Sequence, residues 1–262
     1  MKMGKVVLVG AGPGDIELVT VKGLRMIEQA DVIIYDSLVN PALLKFGKTQ
    51  CKNCYVGKRK GKHSVTQAQI NQLIIEYTRV HPLVVRLKGG DPMLFGRAGE
   101  ELKALDSAGI TWEIVPGITA ATGAAASVGL TLTNRNQFQA VSFVTAQRSS
   151  NATTSELAID WELVLHEHQS VVFYMGLSLL PEIVAGLLTR GKSPGTTFSV
   201  VSEATLPGQV VVSGTLESIV QQVAAAHIKS PALLVMGPTP LITKTLLSEG
   251  LLMKDLPLAQ LG

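Results

Sequence analysis

Short runs of Val, Ile and Leu bounded by turn residues recur at Val6–Val9, Val32–Tyr35, Leu83–Leu87 and Glu113–Val115, and each predicts a buried strand. Between them, Val19–Ala30 and Gln67–Thr78 place apolar residues three and four apart, and Arg97–Ala108 does so less regularly. These stretches predict amphipathic helices, and the alternation is that of β-α-β units. A second series follows Gly117, with strands at Val141–Thr145, Val171–Tyr174, Thr196–Val201, Val210–Ser213 and Ala232–Met236, and helices near Leu179–Leu188 and Leu216–Ala226. The pattern therefore predicts two α/β domains, residues 1–116 and 117–242, joined near Pro116-Gly117 without a long linker, and a weakly patterned tail over 243–262. Thr145–Thr154, rich in Ser, Asn and Thr, reads as a surface loop.

Composition narrows the class. Hydrophobic residues make up 46% of the 262-residue chain and charged residues only 16%, which excludes disorder and fits a compact enzyme. The amino-terminal flank is basic but is followed by only the four apolar residues Val6–Val9 before Gly10, too short for the core of an export signal. Two cysteines cannot build a disulfide framework, so a cytoplasmic location is expected. Ile114–Asn134 lacks charge over 21 residues, but it contains Pro116 and three glycines and reads as a buried small-residue helix with a loop at each end rather than a membrane span.

Charge is unevenly spread. Ser37–Ile75 holds seven basic residues (Lys45, Lys48, Lys52, Lys58, Arg59, Lys60 and Lys62) and no acidic one, so with +3 overall the remainder of the chain carries −4. Glycines inside Gly57-Lys-Arg-Lys-Gly-Lys-His-Ser64 suit a polyanionic ligand approaching the backbone, although a solvated loop gives the same pattern. RNA, phosphate-rich and carboxylate-rich molecules all meet that description, and the lack of interleaved aromatics argues against single-stranded nucleic acid.

Several motifs divide between chemistry and structure. Gly10-Ala-Gly-Pro-Gly-Asp15 follows the first strand like a dinucleotide fingerprint, but Asp15 stands where the third glycine belongs and Pro13 lacks an N–H for a pyrophosphate. A tight strand-to-helix turn and a site for a nucleoside without phosphates both remain. Gly186-Leu-Leu-Thr-Arg-Gly-Lys-Ser193 spells a phosphate loop, yet its first half is helical and Pro194-Gly195 forbids a helix after it, so Gly191 is read as a helix cap. Cys51-x-x-Cys54 lacks a second ligand pair, and His166-x-His168 reads as a surface segment, so no metal is expected. Leu83–Pro92 runs a buried strand into Gly89-Gly90-Asp91, where glycines admit a ligand to the main chain and Asp91 can accept from ribose hydroxyls. Arg97 opens a helix, with a salt bridge or a substrate carboxylate as its partner.

Seven segments in order carry a resemblance: Val9-Gly-Ala-Gly-Pro-Gly-Asp15, Tyr35-Asp-Ser-Leu-Val-Asn40, Val56-Gly-Lys-Arg-Lys-Gly-Lys-His-Ser64, Val84-Val-Arg-Leu-Lys-Gly-Gly-Asp-Pro92, Phe95-Gly-Arg97, Val115-Pro-Gly-Ile-Thr-Ala-Ala121 and Tyr174-Met-Gly176. Over roughly Lys5–Pro238 the chain resembles the uroporphyrinogen-III C-methyltransferases of the tetrapyrrole methylase family. The resemblance implies two α/β domains with an S-adenosylmethionine cleft between them, and a homodimer. It implies cofactor contacts from Pro13, Gly89, Gly90, Asp91, Leu94, Thr119, Ala120, Met175 and Ala204, a base at Asp36 and an acid at Lys58. Arg59, His63, Arg97 and Arg135 are the implied binders of substrate carboxylates. The implied reaction methylates uroporphyrinogen III at C2 and C7 to give precorrin-2, with no metal, nucleic acid or membrane. A related methylase acting on a different tetrapyrrole is the alternative. Later dehydrogenase and chelatase steps are expected to need partners. The chain departs from the family pattern at Ser127, Thr131, Asn134, Ala146-Gln147, Ala204 and Val210, all in the second half.

Overall fold

The computed structural model describes residues 3–57, 65–147 and 157–237. The chain divides into two compact units at Gly123–Ala124.

The first unit contains β1 (Lys5–Gly10), α1 (Val21–Gln29), β2 (Val32–Tyr35), β3 (Lys52–Tyr55), α2 (Gln67–Val80), β4 (Leu83–Lys88), α3 (Ala98–Ser107) and β5 (Trp112–Val115), with α4 (Ala120–Ser127) carrying the chain across the division. Its strands form one parallel sheet in the order β3-β2-β4-β1-β5. Both faces are covered, which is why the strands read as unbroken apolar runs rather than alternating ones. Val6, Leu8, Val32, Ile34 and Val84 pack with Ile70 and Ile74 of α2 and Leu105 of α3. Their neighbours Val7, Val9, Ile33, Val85 and Leu87 pack with Ile27 of α1.

Side-chain caps set the helix starts. Thr20 accepts from the Gly23 amide at the head of α1 (3.0 Å), and Thr66 and Gln69 close a reciprocal capping box on α2. The strand β3 has no counterpart in the hydrophobic pattern, because Lys52 and Asn53 stand exposed on the sheet edge. It also resolves the cysteine spacing: Cys51 packs with the α1 face and Cys54 with the α2–α3 face, so the sheet separates the two thiols. Burial and the Asp31 carboxylate push the Cys51 thiol upward.

The uncharged stretch from Ile114 contributes the end of β5 and the eight-residue α4. Among the described residues no helix is long and apolar enough to cross a membrane. Residues after Pro116 pack back on the first unit: the Gly117 amide donates to Asp91 (3.0 Å), and a Cβ on Gly123 would lie 2.5 Å from the Pro13 ring.

The second unit contains β6 (Ala140–Thr145), α5 (Trp161–Leu165), β7 (Gln169–Tyr174), α6 (Leu180–Thr189), β8 (Thr197–Ser202), β9 (Val210–Thr215), α7 (Ile219–Ala225) and β10 (Ala232–Met236). Its sheet runs β6-β7-β10-β8-β9, and only β6 and β7 are parallel. The link from Ser202 to Val210 is too short for the crossover a parallel pair would need, so β8 and β9 form a hairpin. Phe173, Phe198, Leu234 and Met236 project from one face onto Ile183 and Leu187 of α6 and Ile219 and Val223 of α7. Helix α6 ends in the motif expected of its glycine: Gly191 has φ +88°, its amide donates to Leu188 O (3.1 Å), and the Lys192 amide donates to Leu187 O (3.0 Å). The phosphate-loop spelling is therefore a helix terminus.

Lys5 and Lys22 both pair with Glu113, Lys22 contributing most, and hold its carboxyl at about 2 instead of 4.5. A carboxyl lowered by folding stabilises the native state above its unfolded value and loses that contribution as pH falls through its folded value. Glu113→Gln is expected to cost about 1 kcal/mol at neutral pH, the exposed lysines screening the rest. Urea titrations of variant and parent should converge as pH drops from 4.5 to about 2.

Candidate active site

Neighbouring strands β1 and β4 feed helices on opposite faces of the first sheet, α1 on one and α3 on the other. Loops leaving such a pair diverge, and the crevice they open at the carboxyl ends of the strands is the usual ligand position in an open parallel sheet. Here the diverging loops are tied together at Gly12 and Gly90, whose backbones exchange bonds of 2.7 and 3.3 Å, both residues lying at positive φ (+76° and +67°). The Gly10-to-Asp15 segment is accordingly longer than a tight strand-to-helix turn. It passes through a 3-10 turn at Ile16–Leu18, capped by Asp15, before α1 begins.

Seven of the expected cofactor residues gather at this edge. A Cβ on Gly90 would make ordinary contacts with the Ala120 amide nitrogen (3.5 Å) and Thr119 Cα (3.7 Å). Gly89 backs onto Leu38, where a Cβ would come within 2.6 Å of the Leu38 Cβ. Asp91 accepts from the Met93 amide through Oδ1 (2.8 Å) and from the Gly117 amide through Oδ2 (3.0 Å), and its carbonyl receives the Leu94 amide (3.4 Å). Its carboxylate thus staples the loop after β4 to the segment after β5. Pro13 completes the set against Gly123.

Asp36 lies immediately beyond β2, beside the end of β4. Its Oδ1 accepts from the Leu38 amide (3.1 Å) and its Oδ2 from Arg86 Nη2 (3.0 Å), with its side chain 26% exposed. Behind it is a buried ionic network that the strand pattern concealed. Arg86 and Lys88 occupy alternate positions on β4 and so point to the same face, and both are buried. Glu101 of α3, 1% exposed, receives Arg86 Nε on Oε1 (3.1 Å) and Lys88 Nζ on Oε2 (3.0 Å), while Gln67 Nε2 donates to Oε1 (3.2 Å). Burial, reinforced by the Arg86 charge, pulls the Lys88 ammonium below the ordinary lysine range. A legible signal existed: two cations at strand period inside an apolar run require a buried countercharge.

The second unit supplies the remaining expected residues. Met175 follows β7 at φ +58°, half-exposed, and Gln147 Nε2 lies 3.4 Å from its sulfur. Ala204 sits in the β8–β9 link between Glu203 (φ +49°) and Thr205 (φ +67°). Gln209 Oε1 holds that link, accepting from the Thr205 amide (2.7 Å) and from Ser127 Oγ (2.7 Å). Two of the departures from the family pattern, Ser127 and Ala204, are therefore connected through one glutamine.

The basic residues separate. Lys48 pairs with Asp31 (2.9 Å) and Lys52 lies over the Tyr77 ring (4.9 Å), so these two cations serve the fold. Arg97, at φ +56° before α3, forks onto Glu100 with two 2.7 Å bonds, the salt bridge that was one of its two expected partners. Arg135 is exposed in the turn closed by Asn134 and Phe138. Lys58, Arg59 and His63 lie outside the described residues. Among the described residues no cluster of three or more His, Cys, Asp or Glu could hold a metal ion.

A parallel open sheet whose first and fourth strands lead to a glycine-lined switch point has the architecture of an α/β protein that takes a small molecule at the carboxyl ends of its strands. The family model for Tetrapyrrole (Corrin/Porphyrin) Methylases matches residues 5–220, and the chain belongs to that family. The native uroporphyrin III C-methyl transferase from Thermus thermophilus is 34% identical, with a TM-score of 0.75 over 89% of this chain and 97% of that one. A Thermus thermophilus structure of this enzyme complexed with S-adenyl homocysteine matches equally, at 34% identity and a TM-score of 0.75, over 89% of this chain and 92% of that one. A siroheme synthase of Psychrobacter cryohalolentis is 44% identical over 235 residues, which are 90% of this chain but 44% of that protein. The chain thus spans less than half the length of that relative.

Replacing Glu101 with Gln leaves Arg86 with Asp36 as its carboxylate and takes from the buried Lys88 the carboxylate it pairs with. Glu101→Gln is expected to destabilise the protein by about 3–5 kcal/mol in urea unfolding. The same change at the exposed Glu100 should not shift the midpoint measurably.

Proposed function

We propose that this chain transfers methyl groups from S-adenosylmethionine to C2 and C7 of uroporphyrinogen III, giving precorrin-2 for sirohaem and cobalamin synthesis. The observation that carries this reading is Asp36 held beside a glycine-lined switch-point edge in a tetrapyrrole methylase.

The edge suits the donor chemically. Pro13, Gly89, Gly90, Asp91, Leu94, Thr119 and Ala120 include one carboxylate and no basic side chain, as fits a cationic nucleoside without phosphates. Main-chain groups beside Gly90 and the side chains of Pro13 and Leu94 would hold it, and Met175 and Ala204 are the further proposed cofactor residues. When bound, S-adenosylmethionine supplies an electrophilic methyl group on a sulfonium sulfur.

A reduced pyrrole carbon is electron-rich enough to attack that methyl without a metal. The protein's main task is then alignment, worth up to about 7–11 kcal/mol when reacting atoms are held in near-attack geometry. Once the new carbon–carbon bond has formed, the macrocycle must lose a proton, and the partly exposed Asp36 carboxylate is the group to accept it. Lys58 is the proposed acid. Arg59, His63, Arg97 and Arg135 are the proposed partners of the substrate's carboxylates, with Arg97 exchanging Glu100 for the ligand. A homodimer in the cytoplasm, acting without nucleic acid or membrane, completes the reading.

Incubation with uroporphyrinogen III and labelled S-adenosylmethionine should place two methyl groups on each macrocycle, and a final count of none or one would overturn the reading. Asp36→Asn is expected to lower turnover while S-adenosylhomocysteine binding, followed by calorimetry, stays near the parental value. Equal loss of both would make Asp36 structural. Raised salt should weaken substrate binding far more than S-adenosylhomocysteine binding, since only the former rests on many charges.

A further inference from the structure

We propose that Arg86 is a positioning residue for the transfer, fixing the Asp36 carboxylate in its working orientation, with Glu101 as the buried countercharge that fixes Arg86. This rests on the assignment of Asp36 as the proton acceptor.

The guanidinium is keyed to the frame from every side. Nη1 donates to the carbonyls of Ile34 (3.3 Å) and Leu87 (2.9 Å), one on β2 and one on β4, while Nε is held by Glu101 (3.1 Å). Nη2 alone is directed at Asp36. Because Ile34 and Leu87 sit at the ends of the two strands that lead into Asp36 and Gly89–Asp91, the fork ties the carboxylate to the strand carrying the proposed donor edge. The other Asp36 oxygen is set by the Leu38 amide, and Leu38 itself packs on Gly89.

The exposure gradient separates this role from packing alone. Side-chain exposure is 0% at Glu101, 4% at Arg86 and 26% at Asp36, so the network runs from a closed interior to one accessible carboxylate. The Lys88 arm of the network ends inside the protein, at 5% exposure for Lys88 and 0% for Glu101, whereas the Arg86 arm ends on the accessible Asp36. Lysine cannot replace Arg86, because a single ammonium cannot span the strand carbonyls, Glu101 and Asp36 at once.

The test is a double-mutant cycle on the full chain, with steady-state kinetics, S-adenosylhomocysteine affinity and amide exchange measured on each variant. Arg86→Lys should lower kcat about tenfold or more, since small misplacement of a reacting group is costly. The KM and affinity for the cofactor pair should be retained. In an Asp36→Asn background the same substitution should change kcat by less than about twofold, the mark of two residues acting through one contact. Losses that simply multiply would show that Arg86 acts independently of Asp36 and overturn the proposal.

Exchange at the Leu38 amide gives a readout that needs no substrate. It should quicken in Arg86→Lys relative to the core amides of β1, and unchanged exchange would overturn the proposal. If Arg86→Lys fails to fold, Arg86→Gln, which leaves Glu101 paired with Lys88, takes its place in both measurements. Should the parent protein fail to methylate uroporphyrinogen III, the functional reading falls, and Leu38 exchange still decides whether Arg86 orients Asp36.

Discussion

Two cations on one buried strand, Arg86 and Lys88, constrain how the first unit is put together. Removing a guanidinium and an ammonium from water is unfavourable by several kcal/mol each unless carboxylates meet them with good geometry. Glu101 meets both, and Asp36 meets the guanidinium from the solvent side. The register of β4 between β1 and β2, the seating of α3 on that face and the setting of the loop after β2 all have to agree for these bonds to form. The arrangement that satisfies buried charge is thereby the one that aims a carboxylate at the open edge of the sheet.

The edge depends on close backbone approach as well as on charge. Gly10, Gly90 and Gly117 bring three segments so near that a Cβ on Gly10 would lie 2.5 Å from Gly117 Cα and 2.8 Å from Gly90 O. These glycines pack main chain on main chain, whereas Gly90 at φ +67° also has room on its Cβ side. Asp91, read first as a ligand acceptor, has both oxygens engaged in fastening this arrangement. The staple defines the shape of the edge before any ligand contact is made.

Much of this was legible in the chain, and the gaps have particular causes. Apolar runs located β1, β2, β4 and β10 closely because those are inner strands of their sheets, buried along most of their length. Edge strand β3 left no such run, since its outer residues face water. The carboxyl-edge position of Asp36 followed from strand order and motif, but its partner did not: Arg86 and Glu101 are distant in sequence and meet only when α3 lies on β4. Lys48 and Lys52 show the converse error, in which a linear run of like charge suggested one cationic surface while the fold assigned these members to an acid and a ring. Charge counted along a chain says nothing of where each side chain finds its partner.

The place of β10 also governs how the second unit can be assembled. Although it is the last strand among the described residues, it is inserted between β7 and β8, pairing with both. Until it emerges from the ribosome, β7 and β8 each present an open ladder of amides and carbonyls, the kind of edge that recruits foreign strands. Synthesis of the first unit can finish with its sheet complete, whereas the second must wait for a keystone delivered late, and its exposure to misassembly is longest during that interval.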